Sequence, residues 1–346
     1  MTQFFKNILP LFLLLVSVGG VTAEQSIKPI KILFVAGPRS HGFGVHEFYA
    51  GSMVLANALE QFVSEKQFGA NRMPKIETTV HRNAKVGDSF AFDEADVSII
   101  FCDGGGGYPL RGLEDRLEKL RQAGKGFVFL HYALCGSQEN DSQKPPELPA
   151  DAKFILKATG GVYEIFHSVN PSYTAEFKNL PVHPITRGVR PFALDDEWYF
   201  HMRFLNENTE QILAHPKTDA LQAILVTTPP DALKQRPDGA HSGNSTVRER
   251  LGKPEILAWA FQREDGGRGF GFTGGDNPWN FAHPDYRKLL LNAIVWTAGL
   301  EVPDSGLSTP SPSFEDLQKN LDDSGNLTPA QKETLIKKIN SMSSNL

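Results

Sequence analysis

Cysteine is scarce in this chain, since Cys102 and Cys135 are the only two among 346 residues. Two cysteines cannot build the multiple-disulfide framework of a small secreted scaffold, although an oxidising compartment would permit one bond between them. Each cysteine ends an apolar run, which favours two buried thiols, and the sequence leaves their pairing open. The chain also has neither a C-x-x-C nor an H-E-x-x-H motif, so the usual local signatures of a zinc site are missing.

Other absences exclude whole classes of function. The chain has a net charge of -5 and no basic run, so nothing in its electrostatics favours binding to nucleic acid. No G-x-G-x-x-G opens the first helix and no Gly-Lys-Ser/Thr follows the glycines at 104–107, which excludes NAD and P-loop nucleotide binding. A G-x-S-x-G elbow is missing too, and this excludes a serine hydrolase of that type.

The first residues have the layout of a secretory signal peptide. Lys6 precedes an apolar stretch from Ile8 to Val18, and small residues lead to a V-T-A site at Ala23. The apolar stretch is shorter than a transmembrane helix usually is. The alternative to a cleaved signal peptide is an uncleaved N-terminal anchor. We therefore expect residues 1–23 to be removed, and the mature protein to be periplasmic or secreted without stable membrane association.

Apolar runs and helical patterns alternate from residue 31 onward. Strands that are apolar on both faces and alternate with helices indicate an α/β fold with a mainly parallel sheet and helices on both faces. The predicted strands are 31–37, 75–82, 96–102, 126–134, 211–215, 223–228, 255–262 and 267–275. Helices are predicted from about Phe48, over 110–124 and over 283–299.

Two segments lack apolar periodicity. Residues 229–254 predict a long loop, and a loop of that length in a compact domain is usually functional or disordered. Residues 304–346 are rich in Ser, Asp, Asn and Lys, with two weak helical patches. We expect them to form a flexible tail that packs loosely or not at all.

Polar side chains recur just after the predicted strands. In an open α/β sheet, ligands bind outside the carboxyl ends of the strands, so these residues are candidates for a site. The N–H groups of the glycines at 104–107, Gly105 and Gly106 among them, are candidates for an oxyanion hole, the alternative being a flexible turn. The other positions are Arg39, His41 and His46 after the first strand, Asp103 after the third, His131 and Tyr132 after the fourth, and Asp276, Asn277 and Trp279 after the last.

His131 stands where a cysteine amidotransferase would carry its nucleophile. An imidazole cannot form the thioester that glutamine hydrolysis needs. Cys135 lies four residues farther along, too far to occupy a tight strand–helix elbow. A glutamine amidotransferase is therefore disfavoured, and His131 can instead act as a base or bind a metal ion.

An acidic triplet at 195–197 precedes Trp198 and Tyr199. Carboxylates accept hydrogen bonds from sugar hydroxyls, and aromatic rings pack against the faces of sugar rings, so this segment suits a sugar site. The alternative is a solvated acidic turn beside aromatic residues of the core. For catalysis the candidates are Arg39, His41, His131 and Glu197. For a divalent metal ion, whose presence the sequence leaves open, they are His41, His131 and Glu197. For sugar binding they are Gly105, Gly106, Tyr132, Trp198, His241, Asn244, Asp276 and Trp279.

Several segments, in their order along the chain, resemble the ThuA-like family of trehalose-utilisation proteins over about residues 30–303. They are "RSHGF", "GKGFVFLHYA", "HPITRGV" followed by "DDEWYF", "DGAHSGN", and the closing "GGRGFGFTGGDNPWNFAHPDYRKLLLNAIVWTAGLEVP". Many relatives have Gly-Gly-His where this chain has Gly274-Gly275-Asp276. If that histidine is a ligand or a base, Asp276 must replace it here, or the site differs.

The resemblance implies a class I glutamine amidotransferase-like, flavodoxin-like fold over a domain of residues 27–303, without the amidotransferase cysteine. It also implies a role in the catabolism of trehalose and related disaccharides through 3-keto-glycoside intermediates, with a small sugar as the partner. Fold alone does not separate an enzyme from a non-catalytic carbohydrate-binding protein, so both hypotheses stand. The sequence does not decide the oligomeric state, and a homo-oligomer is one of the alternatives.

Overall fold

A computed structural model describes residues 28–65, 73–139, 147–215, 220–322, 325 and 327–344. The predicted signal peptide, residues 1–23, lies outside the described residues. Within the described part of the chain, no helix is both long enough and apolar enough to cross a membrane.

The main strands carry the apolar runs of the sequence, and the two predicted at 126–134 and 267–275 end several residues earlier than predicted. The strands are β1 (Ile30–Ala36), β2 (Ile76–His81), β3 (Val97–Phe101), β4 (Gly126–Leu130), β5 (Gly161–Val162), β6 (Ser172–Phe177), β7 (Phe192–Glu197), β8 (Arg203–Phe204), β9 (Leu221–Thr227), β10 (Glu255–Gln262) and β11 (Arg268–Phe272).

The helices fill the segments between the strands and follow the last one. They are α1 (Phe48–Glu65), α2 (Glu114–Gln122), α3 (Ala150–Thr159), α4 (Thr209–Ala214), α5 (Asp231–Lys234), α6 (Ser245–Arg248), α7 (Pro284–Thr297), α8 (Phe314–Gln318) and α9 (Pro329–Ser344). Short 3-10 turns span His131–Cys135, Pro184–Thr186 and Pro278–Ala282.

The central sheet confirms the predicted fold class. Its seven strands have the order β2-β1-β3-β4-β11-β10-β9. The first five pair in parallel, and β10 and β9 add an antiparallel edge. The parallel part has the order of a flavodoxin-like sheet. Strands β3 and β4 are buried at every position because helices cover both faces of such a sheet.

Successive residues of β1 belong to different hydrophobic cores. Ile32 and Phe34 pack into a core with α1 and α7, whereas Leu33 and Val35 pack into a second core with α2 and α3. This division follows from the period of two in a strand, which sends neighbouring side chains to opposite faces of the sheet. The helices therefore lie on both faces, as predicted.

The predicted strand at 211–215 is wrong, because α4 occupies this segment. Asn208 caps the helix, its side chain accepting the Gln211 N–H while the Gln211 side chain accepts the Asn208 N–H. Such a reciprocal capping box stabilises a helix start and outweighs the short apolar run "QILA". Residues 229–254 contain the four-residue helices α5 and α6 within a segment that is otherwise irregular.

The C-terminal segment, residues 304–346, does not form the loosely packed tail that its composition suggested. Within its described part, Phe314 and Leu317 of α8 and Ile339 and Met342 of α9 are buried in the core shared with α1 and α7. Their few apolar side chains fall on one side of each short helix, so a low overall hydrophobic content is enough for packing.

Candidate active site

The loop between β1 and α1 carries two histidines to the edge of the sheet. Strand β1 ends at Ala36 and α1 begins at Phe48. His46 stands just before the helix with a φ of 51°, and its backbone N–H donates to the carbonyl of Asp276 at 3.0 Å. This bond joins the loop to the segment that follows β11. His41 lies nearer the loop's tip and is exposed.

His131 occupies the turn directly after β4. Its side chain is fully buried, its φ is 55°, and its Nδ1 lies 2.9 Å from the carbonyl oxygen of Thr273. The carbonyl can only accept, so Nδ1 carries the proton and Nε2 of the neutral ring points into the site with a lone pair. Cys135, in contrast, is buried at the end of the same 3-10 turn, and burial raises the pKa of its thiol. A buried, protonated thiol is not a nucleophile.

Four side chains from different segments converge at this edge of the sheet, and we call them the four-residue cluster. Its members are His46, His131, Glu197 and Asp276. One donor atom from each lies within 4.8 Å of the others. The two imidazole Nε2 atoms are 3.0 Å apart, Asp276 Oδ1 lies 3.3 Å from His46 Nε2, and Glu197 Oε2 lies 3.5 Å from His131 Nε2.

A second group surrounds the other nitrogen of His46. Its Nδ1 lies 2.7 Å from Asp103 Oδ1 and 3.0 Å from Ser40 Oγ. Ser40 Oγ is also 2.7 Å from Nδ1 of His41, and the rings of His41 and His46 are 4.0 Å apart. The donor atoms of His41, His46 and Asp103 also lie close enough together to hold a cation.

Burial and neighbouring charges shift the pKa values in the cluster in different directions. Burial and then the charge of Asp276 raise the pKa of Glu197 to about 7. Burial, with repulsion from His46, lowers the pKa of His131 well below its usual value. Burial also pushes the pKa of His46 down, but the hydrogen bond and charge of Asp103 and the charge of Asp276 outweigh it, so the net shift is upward. Pairs of groups driven apart in this way are typical of acid–base sites.

Further side chains surround the cluster. The Tyr199 hydroxyl lies 3.0 Å from His131 Nε2, and the two rings stack with centroids 4.5 Å apart. Asp196 is buried, and its carboxylate accepts the backbone N–H groups of Gly275 and Glu197 at 2.9 and 3.1 Å. Gly275 has a φ of 120°, a conformation that favours glycine, and its turn aims Asp276 at His46.

Several predicted site residues meet in the structure and others take part in the loop around them. His131, Glu197 and Asp276 lie together in the cluster. His41 lies in the second group, with His46 and Asp103, so the structure divides the predicted metal set of His41, His131 and Glu197 between two groups, and that set stays a prediction. The Arg39 guanidinium donates to the His41 carbonyl at 2.7 Å and so supports its own loop.

Two of the predicted sugar-binding residues are buried, and a third, Asn244, is half-buried at a helix start, where its role in sugar binding stays a prediction. Trp198 is 0% exposed and donates its indole N–H to the Leu194 carbonyl at 3.0 Å, so no sugar ring can reach it. Trp279 is 3% exposed and stacks on Phe314. Asn244 caps α6, with its side chain accepting the Val247 N–H at 2.9 Å.

The glycine-rich turn at 104–107 offers fewer N–H groups to a ligand than predicted. The Gly105 N–H donates to the Gly136 carbonyl at 2.8 Å, which removes it as an oxyanion-hole donor. Gly106 is exposed beside Glu139. Tyr132 and His241 are half-buried near the cluster, with the Tyr132 hydroxyl 3.5 Å from His241 Nε2. Their predicted role in sugar binding stays a prediction.

His46 is among the candidates after β1, but the predicted catalytic and metal sets contain His41 instead. It is the second histidine after β1 and stands at a helix start, but nothing in the sequence ranks it above His41. Asp196 and Tyr199 are predicted only as parts of a sugar-binding segment, and the Thr273 carbonyl is not predicted at all. Their roles depend on contacts between segments far apart in the chain.

Comparison with known proteins assigns the chain to a family. The family model for ThuA, described as trehalose utilisation, matches residues 56–297. Among solved structures, a ThuA-like protein from Bacteroides uniformis is 16% identical, with a TM-score of 0.45, over 78% of this chain and 91% of that chain. One from Parabacteroides merdae is 14% identical, with a TM-score of 0.46, over 84% of this chain and 99% of that chain.

PurLQS from Thermotoga maritima is more distant, with 12% identity and a TM-score of 0.35 over 78% of this chain and 96% of that chain. No curated protein matches the chain. The family model covers well over half of the 346 residues. On that match, the chain belongs to the ThuA family of trehalose-utilisation proteins.

Proposed function

We propose that this protein is an exported enzyme that cleaves a 3-keto-disaccharide of the trehalose type by acid–base chemistry. The observation that carries the proposal is the convergence of His46, His131 and two carboxylates beside an exposed His41 at the carboxyl edge of the sheet. The family supports a sugar substrate, and the layout of residues 1–23 supports export. The geometry supports proton transfer next to a centre that stabilises negative charge.

The chemistry starts from the acidity that a ketone confers. A carbonyl at C3 of the sugar acidifies the C–H bond at C2, so a positioned base can remove that proton. The electron pair moves onto the C3 oxygen and forms an enediolate. When the pair returns, the bond from C1 to the glycosidic oxygen breaks, and the departing sugar takes a proton. The products are an unsaturated keto-sugar and the free second sugar.

His41 is the group that we assign to the proton transfers. It is exposed at the mouth of the site, and its ring lies 4.0 Å from that of His46. His41 takes the C2 proton and delivers it to the departing glycosidic oxygen, so its own protonation state is restored. His46, His131, Glu197 and Asp276 would hold a cation if one is bound, and such an ion would stabilise the negative charge that develops on the C3 oxygen.

The direct test is turnover of 3-keto-trehalose, followed by NMR, with trehalose as the control substrate. We expect release of free glucose together with an unsaturated ketone, and no reaction of trehalose. His41→Ala should lower turnover by roughly 100-fold or more, the scale of general acid–base catalysis, without loss of folding. His215→Ala, which changes an exposed histidine at the end of α4, is the matched control and should keep full activity.

Three outcomes would overturn parts of this proposal. Saturable sugar binding without turnover would identify a carbohydrate-binding protein. A rearranged keto-sugar without glucose release would replace elimination by isomerisation. Full activity in His41→Ala would remove His41 from the chemistry.

A further inference from the structure

The two buried histidines of the cluster face one another in an arrangement that needs a positive charge between them. His131 donates from Nδ1 to the Thr273 carbonyl, so its Nε2 has a lone pair. His46 has its Nδ1 between the oxygens of Asp103 and Ser40, and its proton therefore belongs on that nitrogen. The two Nε2 lone pairs then lie 3.0 Å apart and repel each other unless a proton or a metal ion lies between them. The Tyr199 hydroxyl, 3.0 Å from His131 Nε2, can donate to that nitrogen but contacts only one of the two.

The carboxylates suit a metal ion better than a proton. The charge of a proton shared by the two nitrogens would attract Asp276 Oδ1 at 3.3 Å and Glu197 Oε2 at 3.5 Å, but only a metal ion would use both oxygens as ligands. A tetrahedral ion with ligands at about 2.0–2.1 Å has ligand–ligand edges of about 3.3–3.4 Å. Three of the six separations in the cluster, 3.0, 3.3 and 3.5 Å, surround that value, and all six lie within 4.8 Å.

We propose that the four-residue cluster binds one divalent ion of the zinc type. Two imidazoles and two carboxylates suit zinc and its first-row neighbours, whereas calcium and magnesium prefer oxygen ligands alone. Asp103 and the Thr273 carbonyl hold the outer nitrogens of the two histidines, as outer partners do in histidine metal sites.

The four proposed ligands are not equally buried, so the site is open to solvent on one side. The side chains of His46 and His131 are 4% and 0% exposed, while those of Glu197 and Asp276 are 21% and 19% exposed. The ion is therefore enclosed by protein on its histidine side and open on its carboxylate side. A sugar oxygen approaching from the open side would meet both the ion and the exposed His41.

The experiment measures metal binding without any sugar, so it is independent of the proposed reaction although the mechanistic use of the ion rests on it. Chelator-treated protein is titrated with Zn²⁺, and separately with Co²⁺ for its visible spectrum. We expect one ion per chain and an intense visible band for four- or five-coordinate Co²⁺. Glu197→Gln and Asp276→Asn, which keep side-chain shape, should each weaken binding by about 10-fold or more.

Two controls complete the design. His41→Ala should bind the ion as the wild type does, because His41 is not among the four ligands. His183→Asn changes a histidine in a different part of the fold and should also have no effect. Circular dichroism establishes that each variant is folded.

Absence of stoichiometric binding in the wild type would overturn the metal site. So would binding that survives in Asp276→Asn and disappears in His41→Ala, because this would place the ion in the second group. Stoichiometric binding without keto-sugar turnover would leave the metal site standing and reject the reaction. Turnover by a protein that binds no ion would reject the metal site and leave the proposed reaction standing.

Discussion

Two histidines of the cluster have backbone conformations that non-glycine residues seldom adopt. His46 and His131 have φ values of 51° and 55°. Such residues persist only where their surroundings hold them, and they concentrate at functional sites. Here the hold comes from the bond between the His46 N–H and the Asp276 carbonyl and from the contact between His131 Nδ1 and the Thr273 carbonyl. The strained geometry turns both Nε2 atoms toward the same point.

Asp196 acts on the site through the turn that carries Asp276. It is 3% exposed, and burial raises the pKa of its carboxyl to about 6. The carboxylate accepts the N–H groups of Gly275 and Asn277, at 2.9 and 3.3 Å, which stand on either side of Asp276. Asp196 is therefore a positioning residue for a proposed metal ligand.

We predict that Asp196→Asn weakens Zn²⁺ binding by about 10-fold or more, because its amide would direct N–H donors at the N–H groups of the turn. Calorimetric titration of the chelator-treated variant measures this. Tyr286→Phe is the control, since it removes a hydroxyl 3.3 Å from the same carboxylate and leaves the turn's bonds in place. Equal affinities for Asp196→Asn and the wild type would show that the turn is held by other contacts.

At the scale of elements, the sequence predicted the sheet well because its apolar runs are long and buried on both faces. The same pattern placed His131 and Asp276 at one edge, since the carboxyl ends of parallel strands meet there. It could not separate His41 from His46, because that choice depends on a bond between the loop and the turn after β11. It could not show that Trp198 and Trp279 are buried, because the residues covering them come from distant segments.

The C-terminal segment is a second element whose packing the sequence pattern did not predict. It lies beyond the residues 56–297 that match the family model, yet Phe314 of α8 stacks on Trp279 with ring centroids 5.6 Å apart and planes 14° apart. The Asp322 N–H donates to Glu47 at 2.7 Å, next to His46 in the chain. The C-terminal segment thus supports the loop that carries His41 and His46.

We predict that Phe314→Ala lowers the free energy of unfolding by roughly 3–5 kcal/mol, the usual cost of removing a buried phenylalanine ring. Urea denaturation measures this free energy. Glu315→Gln, at an exposed position of the same helix, should change it by less than about 0.5 kcal/mol. If both variants unfold at the urea concentration of the wild type, the segment does not contribute to the folded core.

At the scale of the whole molecule, burial keeps several histidines outside the cluster neutral. Burial lowers the pKa of His201 to about 2, and burial with nearby arginine charges lowers the pKa values of His167 and His183 to about 4. An unfolded histidine has a pKa near 6.5. Between pH 6.5 and 4 the unfolded chain therefore binds more protons at these positions, and each histidine contributes a loss of stability as the pH falls.

His183 gives the clearest test, because carboxylates with raised pKa values, such as Glu197, contribute with the opposite sign and obscure the total. Its Nδ1 accepts the Ile185 N–H at 3.1 Å at the start of a 3-10 turn, and an asparagine side chain can replace that acceptor. The wild type should lose stability relative to His183→Asn by up to about 1.4 kcal/mol per pH unit as the pH falls from 6.5 to 4. Above pH 6.5 the difference should be constant. Urea denaturation of both proteins at half-unit pH steps measures it, and parallel stability curves across this range would show that His183 is protonated in the folded protein as readily as in the unfolded chain.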